Sequence, residues 1–164
     1  MPGDSRAIGV GTLDGGLYLH VRGESTRAVC ATADRVAGDF LATQPPTPRI
    51  TIDLAGSDWV DSTFAGWLAG VYKRLGETRE RVRLLHCSKG CRGSLERMRL
   101  AALFTFPARA APPALREVPL LDESASEQAL HALMLRAHEE LALVDDENAR
   151  IFKPIADMLR RRGA

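Results

Sequence analysis

The sequence carries little net charge. Lys and Arg together number 22 and Asp and Glu number 21, so the formal net charge at pH 7 is +1. A protein that binds nucleic acid through bulk electrostatics needs a clear excess of positive charge, because it neutralises many phosphates. The charge balance therefore argues against a nucleic-acid-binding protein of that class.

Long hydrophobic runs and a cysteine framework are also missing. No apolar run approaches the roughly 18 residues that a membrane span needs. The start, Met1-Pro2-Gly3-Asp4, lacks the basic residues and apolar centre of a signal peptide. Cys30, Cys87 and Cys91 are odd in number and scattered, which is typical of reduced thiols. We expect a cytoplasmic chain with no membrane insertion.

Sequence motifs of catalytic and cofactor sites are absent as well. Neither a Gly-x-x-x-x-Gly-Lys-Ser/Thr phosphate loop nor a Gly-x-Ser-x-Gly nucleophile motif occurs. His86, Cys87 and Cys91 fall short of a structural zinc site, which draws four ligands with paired close spacings. We therefore predict a protein that is not an enzyme and holds neither cofactor nor metal.

The informative part of the sequence is the run from residue 50 to residue 75. Alternating apolar residues in 49–54 predict a strand that ends at Asp53. Asp61, Ser62 and Thr63 are residue types that cap a helix N-terminus, and we expect one of them to do so. The following helix has an apolar stripe at helical spacing, made of Phe64, Trp67, Leu68, Val71, Tyr72 and Leu75.

Small residues lie off that stripe, namely Ala65, Gly66, Ala69 and Gly70. Such residues lower helix propensity but let another surface approach the backbone closely. Two interpretations remain open here: close packing inside the fold, or a surface that binds a partner protein.

The remainder of residues 1–121 predicts strands separated by helices. A hairpin joins 7–13 to 17–21 through Asp14-Gly15-Gly16, and a helix follows over 26–41. Strand 81–86, helix 93–100 and an edge strand over 114–118 complete the pattern. This order predicts an α/β fold with a mixed sheet and packed helices.

From residue 122 the character changes to an αα-hairpin extension. One amphipathic helix opens at Ser126-Glu127, and a second either begins close to Pro154 or kinks there. His131 and His138 are predicted at the rim of the first apolar stripe. The hairpin is interpreted either as a lid over one face of the sheet or as an element that makes a homodimer. We predict two units, 1–121 and 122–164.

The central run resembles the STAS domain, the fold of bacterial anti-sigma factor antagonists. In that family a strand ending in Asp/Asn-Leu precedes the motif Asp-Ser-Ser/Thr-Gly-x-Gly, and here Asp53-Leu54 precedes residues 61–66. The resemblance extends over about residues 15–118, including Gly23-Glu24 after the second strand. Two positions depart from the family pattern: Phe64 replaces the first Gly of the motif, and Thr26 replaces an acid.

The resemblance implies a binding protein that switches by phosphorylation, in bacterial signal transduction and transcription regulation. Ser62 would be the phosphorylated residue, and Asp53 would support the motif. The implied partner is an anti-sigma factor that is also a serine-protein kinase, with a phosphatase as a further partner; binding of the unphosphorylated protein would release a sigma factor. The partner-binding residues would be Asp61, Ser62, Thr63, Gly66, Gly70 and Lys73. The alternative is a scaffold STAS subunit of a cytoplasmic signalling or membrane-associated complex, in which Ser62 is not phosphorylated.

Overall fold

The computed structural model describes residues 7–23, 25, 27–120 and 127–163. Its elements in chain order are β1 (Ala7–Leu13), β2 (Gly16–His20), α1 (Arg27–Ala42), β3 (Ile50–Asp53), α2 (Ser62–Arg74), β4 (Val82–Leu85), α3 (Lys89–Arg97), β5 (Arg116–Pro119), α4 (Glu127–Ala142) and α5 (Asp146–Arg162). Short 3₁₀ turns occupy Arg79–Arg81 and Ala101–Leu103. Glu24, Thr26 and the boundary predicted between 121 and 122 lie outside the described residues, so the division into two units stays a prediction.

The five strands form one mixed sheet in the order β4-β3-β2-β1-β5. β1 is antiparallel to β2 and to β5, whereas β2, β3 and β4 run parallel. The predicted hairpin is confirmed, with Asp14 and Gly15 both at positive φ in its two-residue turn. β5 lies at the edge, as predicted. The predicted α/β fold with a mixed sheet, packed helices and a C-terminal αα-hairpin is therefore confirmed.

Helix α3 corrects one predicted boundary. The sequence predicted a helix over 93–100, but the observed helix is Lys89–Arg97. Ser88 decides this start, because its hydroxyl oxygen accepts a hydrogen bond from the Cys91 N–H at 3.1 Å. Arg99, at φ 61°, then takes the chain out of the helical conformation.

Helix α5 also differs from the prediction. It begins at Asp146, with Asp145 as its N-cap, and continues past Pro154 to Arg162. The prediction that this helix begins close to Pro154 is therefore wrong; the alternative, a kink at Pro154 within a longer helix, stays a prediction. The cap explains the early start, since the Asp145 carboxylate accepts the Asn148 N–H at 2.8 Å and nucleates the helix two turns before the proline.

The helices form layers beside the sheet. α1 contacts β1 and β2, α2 contacts α1, and α4 packs extensively on α2 and on α5. All residues of α2 from Thr63 to Ala69 are buried, because the sheet core covers one side of this helix and α4 covers another. The hairpin thus covers the helical layer, which corrects the predicted lid over a face of the sheet.

No helix within the described part of the chain is long and apolar enough to cross a membrane. The homodimer stays a prediction. On α5, Ile151 and Met158 are exposed apolar residues that a second copy could contact.

Candidate functional site at the start of helix α2

The site is built at the N-terminus of α2. Asp61 is the N-cap, with extended backbone at φ −79° and ψ 169°, and its Oδ1 accepts the Phe64 N–H at 2.8 Å. Ser62 is therefore the first helical residue and is half-buried, while Thr63 is buried. Of the three candidate caps in the sequence, the structure selects Asp61.

The segment that leads from β3 to α2 is fixed by bonds to its neighbours. The buried Ser57 hydroxyl contacts the Ser25 hydroxyl and the Gly23 carbonyl. The Ser57 carbonyl accepts the Ser88 hydroxyl and the Cys91 thiol, both at 3.1 Å. These bonds fix the route of the chain into α2, so Ser62 lies at a defined position relative to the sheet.

Asp53, which the resemblance marks as a supporting residue, anchors the end of β3. Its carboxylate accepts the Tyr18 hydroxyl at 2.6 Å, His86 Nδ1 at 2.8 Å and the Ala55 N–H at 2.9 Å. Burial raises the pKa of Asp53, but the hydrogen bonds from Tyr18, His86 and Ala55 outweigh it and hold the pKa below its ordinary value. Asp53 is therefore ionised, and its hydrogen bonds hold the end of β3 in place.

The Ser62 hydroxyl is hydrogen-bonded to α4. Its Oγ lies 3.0 Å from Nε2 of His138, and Nδ1 of the same ring lies 2.6 Å from the Met134 carbonyl oxygen. A carbonyl oxygen can only accept a hydrogen bond, so Nδ1 carries the proton. In the neutral ring Nε2 then accepts a hydrogen bond from the Ser62 hydroxyl. His138 is 3% exposed, which places it well inside the interface.

Two of the small residues of α2, Gly66 and Gly70, also face α4. A Cβ at Gly66 would overlap the backbone of Ala137, so the two helices touch at their main chains there. At Gly70 a Cβ would meet only the Glu140 side chain, at an ordinary 3.7 Å. Close packing within the chain is what the structure shows at Gly66; partner binding at the same face stays a prediction.

Charged groups close the rim of this interface. Lys73 Nζ lies 2.7 Å from Glu140 Oε2, and Arg136 of α4 lies 3.5 Å from Asp34 of α1. Asp34 also accepts the Trp67 indole N–H at 3.1 Å. Between α1, α2 and α4 remains a cavity of about 380 Å³. Asp61 caps α2, and the other five predicted partner-binding residues lie within this helix; of the six, Ser62, Gly66, Gly70 and Lys73 contact α4.

The structure places His138 differently from the sequence prediction. His138 was expected at the rim of an apolar stripe, yet it is buried and bonded to Ser62. The only sequence signal was its position on the same helical face as the apolar residues.

His86, Cys87 and Cys91 form no cluster that could hold a metal, and no such cluster exists among the residues the structure describes.

Comparisons with known proteins concern the fold. No protein-family model matches the sequence, and no curated protein matches it. Among solved structures, the anti-sigma factor antagonist SpoIIAA in its unphosphorylated form matches with a TM-score of 0.50 and 15% sequence identity, over 63% of this chain and 90% of that chain. At this identity the likeness concerns the fold alone. The chain therefore has the STAS-like fold of SpoIIAA, extended by the α4–α5 hairpin.

Proposed function

We propose that the protein is a phosphorylation-controlled binding protein of the anti-sigma factor antagonist type and not an enzyme. Its unphosphorylated form binds an anti-sigma factor that is also a serine kinase, and a sigma factor is released. The proposed contact surface comprises Asp61 at the N-cap and the α2 residues Ser62, Thr63, Gly66, Gly70 and Lys73. The observation that carries the proposal is the position of Ser62, which is the first residue of α2, directly after the Asp61 cap, on a SpoIIAA-like fold.

Phosphorylation of Ser62 would act by charge. A phosphate adds about −1.5 to −2 charges at pH 7, and beside Asp61 in an interface it brings repulsion and a desolvation cost. Each 1.4 kcal/mol or so lowers affinity about tenfold. N–H groups at the start of a helix favour an anion, so the helix terminus itself does not oppose the phosphate.

An exposed aromatic residue near this site supports a binding role. Trp59 is 45% exposed and precedes the Asp61 cap by two residues. Tryptophan is enriched among the residues that dominate protein–protein affinity, because a large ring buries much apolar area on binding. We assign Trp59 to the edge of the partner surface.

The test is capture of partners from native lysate by the full chain and by Ser62→Asp, with mass spectrometry of the captured proteins. Thr47→Asp is the matched control, since it adds the same charge at an exposed position in the loop before β3, outside the segment that leads into α2. The proposal expects a serine kinase of the anti-sigma type to be captured by the wild type and by Thr47→Asp, and lost with Ser62→Asp. Capture of the kinase by all three proteins would contradict the switch.

A second candidate is a scaffold subunit in which Ser62 is a structural residue. The observation that favours it is the bond from Ser62 to the buried His138, which gives the hydroxyl a role within the chain. A scaffold predicts the same captured proteins for wild type and Ser62→Asp. It also predicts no phosphate on Ser62 in protein isolated from cells.

A further inference from the structure

The proposed partner and helix α4 contact the same surface of α2. The proposed partner contacts Ser62, Gly66, Gly70 and Lys73, and α4 of the same chain contacts those four residues. A kinase that transfers phosphate to Ser62 Oγ must reach this oxygen directly. In the structure His138 occupies the hydrogen-bonding position beside it, so α4 covers part of the approach to this oxygen.

The packing of α4 on α2 is extensive, but it rests on a small set of buried side chains. The buried residues of α4 are Leu133, Ala137, His138 and Leu141, of which Leu133 and Leu141 join the main hydrophobic core. At the closest point Gly66 meets Ala137, and these residues contribute little apolar surface. The cavity of about 380 Å³ beside this contact shows that α4 does not fill the groove between α1 and α2.

The hairpin is held to the rest of the chain at its turn. Asn148 donates its side-chain N–H to the Met98 carbonyl at 2.8 Å, and Asp145 pairs with Arg99. α5 packs on α4 through Phe152 and other buried residues. These contacts join the two helices and anchor their turn, so an opening of the hairpin would pivot about residues 145–148.

We propose that the α4–α5 hairpin is a displaceable cover of the Ser62 surface: α4 leaves α2 while the sheet stays folded, and the partner then occupies the same face. The identity of that partner rests on the proposed function. The opening itself does not, and it is measured without any partner.

A reversible disulfide provides the test. A Cβ at position 70 would lie 3.7 Å from Glu140 Cγ, so the variant Gly70→Cys/Glu140→Cys places a thiol on each side of the α2–α4 contact, and intact-mass analysis of the oxidised protein verifies that the disulfide forms. Burial raises the pKa of the native Cys87 to about 12, so this thiol reacts slowly at pH 8. Cys30 and Cys91 are buried. The reduced double variant is the matched control for the oxidised one.

Hydrogen exchange of the full chain is compared in the two forms. We expect α4 amides of the reduced form to exchange at least tenfold faster than β2 and β3 amides, and oxidation to slow α4 exchange at least tenfold with little change in those strands. Exchange of α4 together with β3 in the reduced form would overturn the proposal, because α4 would then leave only on global unfolding. Disulfides between two chains instead of within one would overturn it as well.

The result is independent of the proposed function. If α4 opens but no kinase is captured, the cover stands and the anti-sigma role fails. If the kinase is captured but α4 exchanges only with the core, the role stands and the cover fails.

Discussion

The Ser62 hydroxyl and Nε2 of His138, a residue 76 positions later in the sequence, are hydrogen-bonded at 3.0 Å. The bond joins the first turn of α2 to the middle of α4 and connects the predicted modification site to the C-terminal hairpin. Any change at Ser62 is therefore expected to alter how α4 is held.

Ser62→Ala should loosen α4 more than it weakens α2. The cap of α2 is Asp61, so the substitution leaves capping intact but removes the proton donor to buried His138 Nε2. A buried acceptor without a partner costs about 1–3 kcal/mol. We expect faster hydrogen exchange in α4 with a circular dichroism spectrum close to that of the wild type. Unchanged exchange in α4 would show that the hydrogen bond contributes nothing to docking.

Gly66→Ala and Gly70→Ala form a matched pair. A Cβ at Gly66 would overlap the Ala137 backbone, whereas one at Gly70 makes only an ordinary contact with a side chain. We expect Gly66→Ala to lower the unfolding free energy by about 1–3 kcal/mol, the usual range for overpacking. Gly70→Ala should be neutral or stabilise by up to about 1 kcal/mol through helix propensity. Urea denaturation of both variants measures the difference; equal effects would contradict the close contact of α2 with α4.

Asp61→Ala should destabilise the protein by about 0.5–2 kcal/mol, because the N-cap bond to the Phe64 N–H is lost. Asp58→Ala is the control, since Asp58 is an exposed acid in the same connecting segment. Thermal or urea unfolding should separate the two variants clearly. If both variants unfold at the same midpoint as wild type, Asp61 contributes no capping energy.

Tyr18→Phe should destabilise the protein in a pH-dependent manner. The lost hydroxyl donates to the ionised Asp53 carboxylate, and a hydrogen bond to a charged group is worth about 1.5–3 kcal/mol. The pKa of Asp53 is lowered in the folded state, so the stability from its ionised form is present above the ordinary pKa and lost as pH falls through the folded pKa. The difference between wild type and Tyr18→Phe should therefore be full at pH 7 and shrink at acid pH. Urea titrations at several pH values test this, and a constant difference would contradict it.

Trp59→Ala should weaken partner binding without loss of stability. Trp59 is 45% exposed, so its ring contributes little to the stability of the free protein. The same ring still has apolar area to bury in a complex. We expect at least a tenfold lower affinity for the captured kinase, measured by titration calorimetry. Leu143→Ala is the control, because Leu143 is an exposed apolar residue in the turn from α4 to α5 and does not belong to the segment that leads into α2. Equal affinity for both variants would remove Trp59 from the partner surface.

Local patterns in the sequence were sufficient for most elements. The hairpin around Asp14-Gly15 and the strand that ends at Asp53 were predicted because turn residues and alternating apolar residues act over a few positions. α2 was predicted because its cap and apolar stripe are local as well. The boundaries of α3 and α5 were wrong where a cap, at Ser88 and Asp145, began the helix earlier than the apolar stripe indicated.

For the candidate site, too, local sequence decided some features and tertiary packing decided others. By itself the sequence determined that Ser62 stands at the start of an amphipathic helix, because capping and helical periodicity depend on neighbours only a few residues away. The occupant of the α2 face was decided only by the tertiary structure, since an apolar stripe shows that a face is buried without showing what buries it. Packing between segments more than 70 residues apart decides which helix contacts Gly66 and which side chain is hydrogen-bonded to the Ser62 hydroxyl.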